Sequence, residues 1–397
     1  MLKFSCEKAL LQAAISTAGR AVAAKSSIPA LEGLLLEGSH ELTLYGYNTQ
    51  TGIRTSFEAQ IREEGRIVLN ARLFGDIIRK MPDDIIVFSA DEKYMVHLSC
   101  GDASFDILGL SADDYPELPE VDDEYSVTLQ QKTLKAMIGQ TAFAVSTNES
   151  RPVHTGSLFE IDDTGLTMVS VDGFRLALRH EPLEKIDGGA FRFVAPGSAL
   201  KEVENICGDT EEMITVTRGK RHLLFSAGQT QLICRRLEGE FLDYKNAIPR
   251  NNPICVEVAN SALLQSLDRI SVVISEKLKS PVRCVFEQDR VLLSARTGNG
   301  EAKDICLTKG DGNGLEIGFN NRYLMEALRY APADSVRLEL NTNISPCVIT
   351  PVDGSDNVLY MVLPVRLKAQ SSCFASPDAR RYSVPPGTGH FWPQSQK

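Results

Sequence analysis

Three stretches decide the fold: EKALLQAAISTAGR from Glu7, QQKTLKAMIGQTAFAV from Gln130, and SALLQSLDRISVVISEKL from Ser261. Each follows a short strand-like run and is followed by alternating segments. A second helical stretch then appears, ARLFGDIIRKM, SALKEVENIC or NRYLMEALRYA, and further alternating runs close the copy. Leu10, Leu134 and Leu263 read as equivalent, at separations of 124 and 129 residues. Leu73, Leu200 and Leu324 read the same way, at 127 and 124, and Asp114-Tyr115 recurs as Asp243-Tyr244 after 129. A fixed period of this size marks tandem copies of one unit.

Within the helical stretches apolar residues recur at steps of three and four, as at Leu73, Ile77 and Ile78, the pattern of a one-sided amphipathic helix. Between them the pattern alternates, as in Glu41–Tyr45, Ile67–Leu69 and Val291–Ser294, which predicts half-buried antiparallel strands. Asp162–Gly165 and the run Gly310-Asp311-Gly312-Asn313-Gly314 read as hairpin loops. The expected fold class is therefore α+β: three units, each with two helices on antiparallel sheets of about eight strands. Acidic or Pro-bearing connectors, Asp113–Glu124 and Ile248–Pro253, separate the units. The expected domains are 1–124, 125–250 and 251–367. Residues 368–397, rich in Ser, Pro and Gln and aperiodic, read as a disordered or appended tail.

Composition narrows function. A length of 397 residues suits several cores, and 43% hydrophobic with 24% charged residues is globular. No apolar run is long enough to span a bilayer. Lys3, Glu7 and Lys8 interrupt the N-terminal apolar residues, so no signal peptide is read and a cytoplasmic location is expected. The nine cysteines are scattered without a CxxC, which predicts reduced core thiols. No phosphate loop, HExxH, GxSxG or clustered histidines occur, so neither catalytic residues nor a metal or cofactor is expected.

The net charge of −10 argues against nucleic acid only if it is evenly spread. It is not: the six helical stretches, counted with the basic exit of the first helix to Lys25, hold fourteen basic and seven acidic residues, while the remainder is strongly acidic. A solvated helix face gives such an excess by itself. The alternative is a shared basic helix surface, carrying Arg20, Lys25, Arg72, Arg79, Lys80 and Lys201, that meets duplex phosphates without reading bases.

The most specific runs are Val171-Asp172-Gly173-Phe174-Arg175-Leu176-Ala177, Phe241-Leu242-Asp243-Tyr244 and Met361-Val362-Leu363-Pro364-Val365-Arg366-Leu367. Through them and the threefold repeat, residues 1–367 resemble the bacterial DNA sliding clamps, the beta subunits of DNA polymerase III. Leu367 resembles the family's natural end. The resemblance implies a non-catalytic, head-to-tail homodimeric ring around double-stranded DNA, in the nucleoid, that gives the replicative polymerase processivity. It implies partners that dock short peptides: the polymerase III alpha subunit, the clamp loader, other DNA polymerases, mismatch-repair proteins and ligase.

The same resemblance implies a peptide pocket between the second and third units. Its walls would be His154, Val171, Gly173, Phe174, Arg175, Leu176, Leu242, Ala247, Ile344, Pro346, Met361, Leu363, Pro364, Val365 and Arg366. Gly173 and Arg175 would orient the peptide. His154, Phe174 and Leu242 depart from the family's usual residues, so a clamp paralogue with altered partner or inhibitor binding is a second reading. Lys25 and Asn148 would contact duplex; Gly197 stands where the family has an arginine, with Lys201 a substitute. Phe105 and Ile107 of one chain would meet Val272 and Val273 of the next, although these also read as core. In the tail, Gln370–Phe374 resembles a weak clamp-binding peptide that would dock in the chain's own pocket.

Overall fold

The computed structural model describes residues 1–122, 125–183, 189–274, 280–298, 300–352 and 357–367. The expected first boundary at Glu124, the tail and its Gln370–Phe374 stretch lie outside them.

Among the described residues seven α-helices form: α1 (Lys8–Ala18), α2 (Ala71–Lys80), α3 (Gln131–Thr141), α4 (Gly197–Ile206), the single-turn α5 (Tyr244–Ala247), α6 (Asn260–Ser271) and α7 (Asn321–Tyr330). The repeat is present, but its first register is one residue off in copy one. Leu11, not Leu10, is buried with Leu134 and Leu263, and Phe74, not Leu73, with Leu200 and Leu324. Leu10 and Leu73 are exposed. In Leu10-Leu11 and Leu73-Phe74 two apolar neighbours compete for one inward direction, and only packing picks between them.

Each first helix opens on a buried polar residue, Lys8, Gln131 or Asn260, which reaches the end of the second helix or just beyond it. Lys8 Nζ donates to Met81 O at 2.7 Å and to Asp83 Oδ1 at 2.7 Å. Gln131 Oε1 accepts from Gly208 N at 2.9 Å, and Asn260 Nδ2 donates to Leu328 O at 2.9 Å. In the first copy a carbonyl that the helix terminus leaves unpaired is thereby satisfied. Three unrelated side chains do one job, so the sequence repeat is invisible there.

The helices pair within each copy, α1 on α2, α3 on α4 and α6 on α7. Apolar cores lie beneath them, led by Phe4, Phe74 and Phe88 in the first copy, Phe159, Phe193 and Leu200 in the second, and Leu267, Phe319 and Leu328 in the third. The sheets do not stop at the copy boundaries. Thr230–Arg235 of copy two pairs antiparallel with Thr51–Phe57 of copy one, Leu232 opposite Ile53. Asn357–Val362 of copy three pairs with Arg175–Glu181 of copy two, Met361 opposite Leu176. The result is sheets of five, eight and ten strands, two of them crossing a seam.

Copy three builds its second sheet from one long hairpin, Val282–Thr297 with Gly300–Phe319. Gly310–Gly314 lies inside that second strand and is not the expected hairpin loop. Positive φ at Gly310, Asn313 and Gly314 bends the strand where its register with the partner slips. The hairpin at Asp162–Gly165 forms as expected. Eight cysteines are free; of these Cys255 alone is exposed, while Cys373 falls outside the described residues.

Phe159 is fully buried and stacked on Phe193 at 4.8 Å. Phe159→Ala is expected to destabilise the central copy by about 3–5 kcal/mol, read as a lower denaturant midpoint.

Candidate functional site

Helical Lys and Arg side chains lie on a helix surface unless a buried partner recruits them. Arg20, Arg72 and Arg79 line one groove between α1 and α2, about 680 Å³ in volume. Lys80 of α2 and Lys201 of α4 are exposed, as are Lys25 and Asn148 in loops. The helix layer is continuous. Arg20 meets Glu202 of α4 at 3.3 Å, and Phe143, just beyond α3, stacks on Tyr330 of α7 at 4.7 Å.

The basic excess is weaker than its count. Lys8 is turned inward, Lys132 pairs with Glu211 at 2.8 Å, and Lys135 pairs with Asp209 at 2.9 Å. Arg79 pairs with Asp76 at 3.1 Å and Arg322 with Glu326 at 2.9 Å. Glu276, Lys277 and Lys279 lie outside the described residues. Gly197 opens α4, where a Cβ would come within 3.1 Å of Thr155 O and of Val145 Cγ1. Lys201, one turn on, is exposed.

At the second seam Asp172 opens a tight turn. Its Oδ1 accepts from Phe174 N at 2.9 Å and Arg175 N at 3.0 Å, and Gly173 takes φ 91°. Leu363 N donates to Phe174 O at 2.9 Å and Val365 N to Gly318 O at 2.8 Å, so the C-terminal segment is stitched beside the turn. Val171, Leu176 and Met361 pack into one cluster with Val153, Tyr244 and Val348, which floors the seam. Phe174, Leu242, Ile344 and Arg366 are exposed around it; Ala247, Pro346, Leu363, Pro364 and Val365 are half-buried. Phe174 stacks on Tyr323 at 6.2 Å. His154 lies edge-on to Phe241 at 5.5 Å, in a depression of about 500 Å³ shared with Leu242. Burial, then the charge of Arg151, pushes the His154 imidazole below its usual value, favouring the neutral, apolar form.

Arg175 is placed otherwise than the sequence suggested. It is buried, bonded to Asp172 at 2.9 Å, to Glu326 and to Phe143 O at 2.6 Å, with Tyr323 4.5 Å from its guanidinium. Burial by itself raises the Glu326 carboxyl, but hydrogen bonds from Arg322 and Arg175 outweigh it and hold the group below the usual carboxylate range. Arg175 therefore clasps copy two to α7, with each of its three guanidinium nitrogens bonded within the chain.

Phe105 is exposed on the edge strand Ala103–Leu108, whereas Ile107 packs against the first core. Val272 is 84% exposed, and Val273 packs against the third core. Sequence reasoning missed Ile305 and Leu307, 56% and 78% exposed on the third copy's hairpin. Their alternation with buried Cys306 was legible, but not which face the core would take.

It also missed Leu118. This residue follows Asp114-Tyr115 as Ala247 follows Asp243-Tyr244. Leu118 packs so closely on Gly52 that a Cβ there would lie 2.3 Å from Leu118 Cδ2. Gly52 occupies the first seam as Leu176 occupies the second. The first seam thus carries a Leu over Gly52 where the second carries the shorter Ala247.

A repeat scaffold with a continuous layer of paired helices, unpaired sheet edges and an apolar groove at one seam has the make-up of a processivity clamp. Profiles of the N-terminal, central and C-terminal domains of the DNA polymerase III beta subunit match residues 2–119, 128–243 and 245–366. The chain is 30% identical over 377 residues to a beta sliding clamp of Staphylococcus aureus, covering 92% of this chain and all of that one. It is 32% identical over 366 residues to one of Halalkalibacterium halodurans, covering 89% and 96%. The crystal structure of the Bacillus subtilis sliding clamp superposes with TM-score 0.88 at 26% identity, covering 92% of this chain and all of that one.

The chain belongs to the DNA polymerase III beta-subunit family, the beta sliding clamps. It confers processivity on DNA polymerase III and is itself non-catalytic, with DNA and polymerase as partners. No helix among the described residues is long and apolar enough to cross a membrane.

Arg175→Met strands Asp172 and Glu326 in buried surroundings. A loss of about 3–5 kcal/mol is expected, with a double-mutant cycle against Glu326→Gln showing strong coupling.

Proposed function

We propose that this chain is a housekeeping clamp that closes head to tail with a second copy around duplex DNA. The observation that carries this is the internal seam rule. At both seams the last strand of one copy pairs with the same strand of the copy before it: Thr230–Arg235 with Thr51–Phe57, and Asn357–Val362 with Arg175–Glu181. Two strands of the series then have no cross-seam partner among the described residues and are paired on one side only, Ala103–Leu108 with Met95–Cys100 and the segment from Gly300 to Leu307 with Arg290–Thr297. Repeating the register between two chains sets Ile107 opposite Gly300 and Phe105 opposite Ala302. An edge of exposed apolar residues needs such cover, and a heterologous contact closes into a ring when the rotation permits.

The helix layer is then the DNA face. Arg20, Lys25, Arg72, Arg79, Lys80, Asn148 and Lys201 would contact phosphates loosely, since no aromatic or base-reading set accompanies them. The second-seam groove takes the short peptides of the alpha subunit, the clamp loader, other polymerases, mismatch-repair proteins and ligase. Val171, Leu176 and Met361 floor it, while Phe174, Leu242 and Ile344 supply the apolar rim that Leu or Phe anchors need. The domains run 1–124, 125–250 and 251–367, and the clamp works on the nucleoid in the cytoplasm.

A second reading, a paralogue with altered partner or inhibitor choice, is favoured by one feature. Phe174 builds an exposed aromatic wall on Tyr323, and His154 and Leu242 reshape the neighbouring depression. Primer extension with the cognate polymerase and loader separates the readings: the housekeeping clamp lengthens products, and a paralogue of different partnership leaves them short.

Phe105→Arg places a charge in the ring contact. It is expected to sediment as a monomer at micromolar concentration and to abolish processive extension; a dimer of wild-type stability would refute the pairing. Leu242→Asp should leave the dimer intact while weakening a polymerase-derived apolar peptide by at least about tenfold, measured by fluorescence anisotropy.

A further inference from the structure

The repeat allows the first seam to be laid on the second residue by residue. Asn48 opens the same turn as Asp172. Its Oδ1 accepts from Gln50 N at 3.1 Å and Thr51 N at 2.8 Å, and Thr49 takes φ 72° where Gly173 takes 91°. Past the turn, Arg235 N donates to Gln50 O at 3.2 Å as Leu363 N donates to Phe174 O. Leu237 N then donates to Val194 O at 3.0 Å as Val365 N donates to Gly318 O. Gln50 therefore stands for Phe174, Arg235 for Leu363, Arg236 for Pro364 and Glu238 for Arg366. The backbone frame is the same, and the chemistry is inverted from apolar to polar.

This frame borders a crevice of about 750 Å³ that the turn, Arg235–Glu238 and the start of α4 enclose together. Its lining is polar apart from Pro196 and Leu237, so it offers little to a Leu or Phe anchor. Arg236 Nε is buried without a hydrogen-bond partner, and neither Arg235 nor Arg236 forms an ion pair among the described residues. Arg235 is exposed on the crevice and Arg236 is half-buried in its wall, so the two unpaired guanidiniums attract an acceptor that enters it, and a carboxylate fits their fork. The positive field is felt locally: burial, then the charges of Arg235 and Arg221, depress the imidazole of His222. Glu149 and Glu238 stand exposed on the same crevice, so a run of acidic residues would be repelled and a single carboxylate accepted.

The geometry points to a second partner groove at the first seam, one that binds an extended peptide through a single Asp or Glu side chain. The inference rests on the reading that the second-seam groove holds peptides, and it assigns the two seams to partners of different chemistry. One ring could then hold an apolar-anchored and an acid-anchored partner at once.

The test uses the full chain, immobilised, and two acetylated and amidated peptide pools randomised except for a central Glu or a central Gln. The Glu pool is expected to be retained about tenfold more strongly, as a charge-assisted bond to Arg236 implies. Arg236→Gln and, separately, the exposed Arg235→Gln should abolish that preference, with melting curves confirming that both variants fold. Leu242→Asp should leave it unchanged. Equal retention of the two pools, or a preference that survives both arginine variants, overturns the proposal. So does displacement by an equal concentration of inorganic phosphate, which marks a general anion site, or by short duplex DNA, which makes the crevice a DNA contact. An apolar peptide measured on the same variants keeps the two readings apart: it should be lost with Leu242→Asp and kept with both arginine variants.

Discussion

Backbone hydrogen bonds across the copy boundaries are the constraint from which the rest of the architecture follows. A strand edge presents unpaired amides and carbonyls, and leaving them so is costly or aggregation-prone. Here each seam pairs an edge of one copy with an edge of the next, Leu232 opposite Ile53 and Met361 opposite Leu176. Because these pairings fix spacing and twist, the helix pairs are carried onto one layer, where Arg20–Glu202 and Phe143–Tyr330 join them. Extended beyond the chain, the same rule gives the proposed ring contact its two strands, Ala103–Leu108 and the segment from Gly300 to Leu307.

Seams are also where chemistry can be written without disturbing a core. The two internal seams share a backbone course down to individual turn and cross-strand bonds, yet differ at a few side chains. The second seam has an apolar floor of Val171, Leu176 and Met361, while at the first Leu118 packs on Gly52. At the second, a buried cluster of Asp172, Arg175 and Glu326, stacked between Phe143 and Tyr323, holds copy two to α7. Charge pairs of this kind are weak sources of net stability but specify one arrangement of the partners.

The sequence by itself determined the threefold repeat, the α+β class, the scattered reduced thiols and the absence of any motif for catalysis. These properties are local: helical and strand periods and turn residues are written in neighbouring positions. The family was legible in Val171–Ala177 and the Met361–Leu367 ending, where several residues must serve one turn and one stitched segment. Tertiary structure alone decided matters in which two local choices were equally good. It chose Leu11 over Leu10 and Phe74 over Leu73, turned Lys8 inward, and neutralised Lys132 and Lys135 against acidic residues more than seventy positions away. It bent Gly310–Gly314 within a strand rather than ending one. It gave Arg175 an acidic partner on α7 and put Leu118 over Gly52 at the first seam. Each outcome depends on a partner distant in the chain, and no periodicity or composition within a window of sequence carries that information.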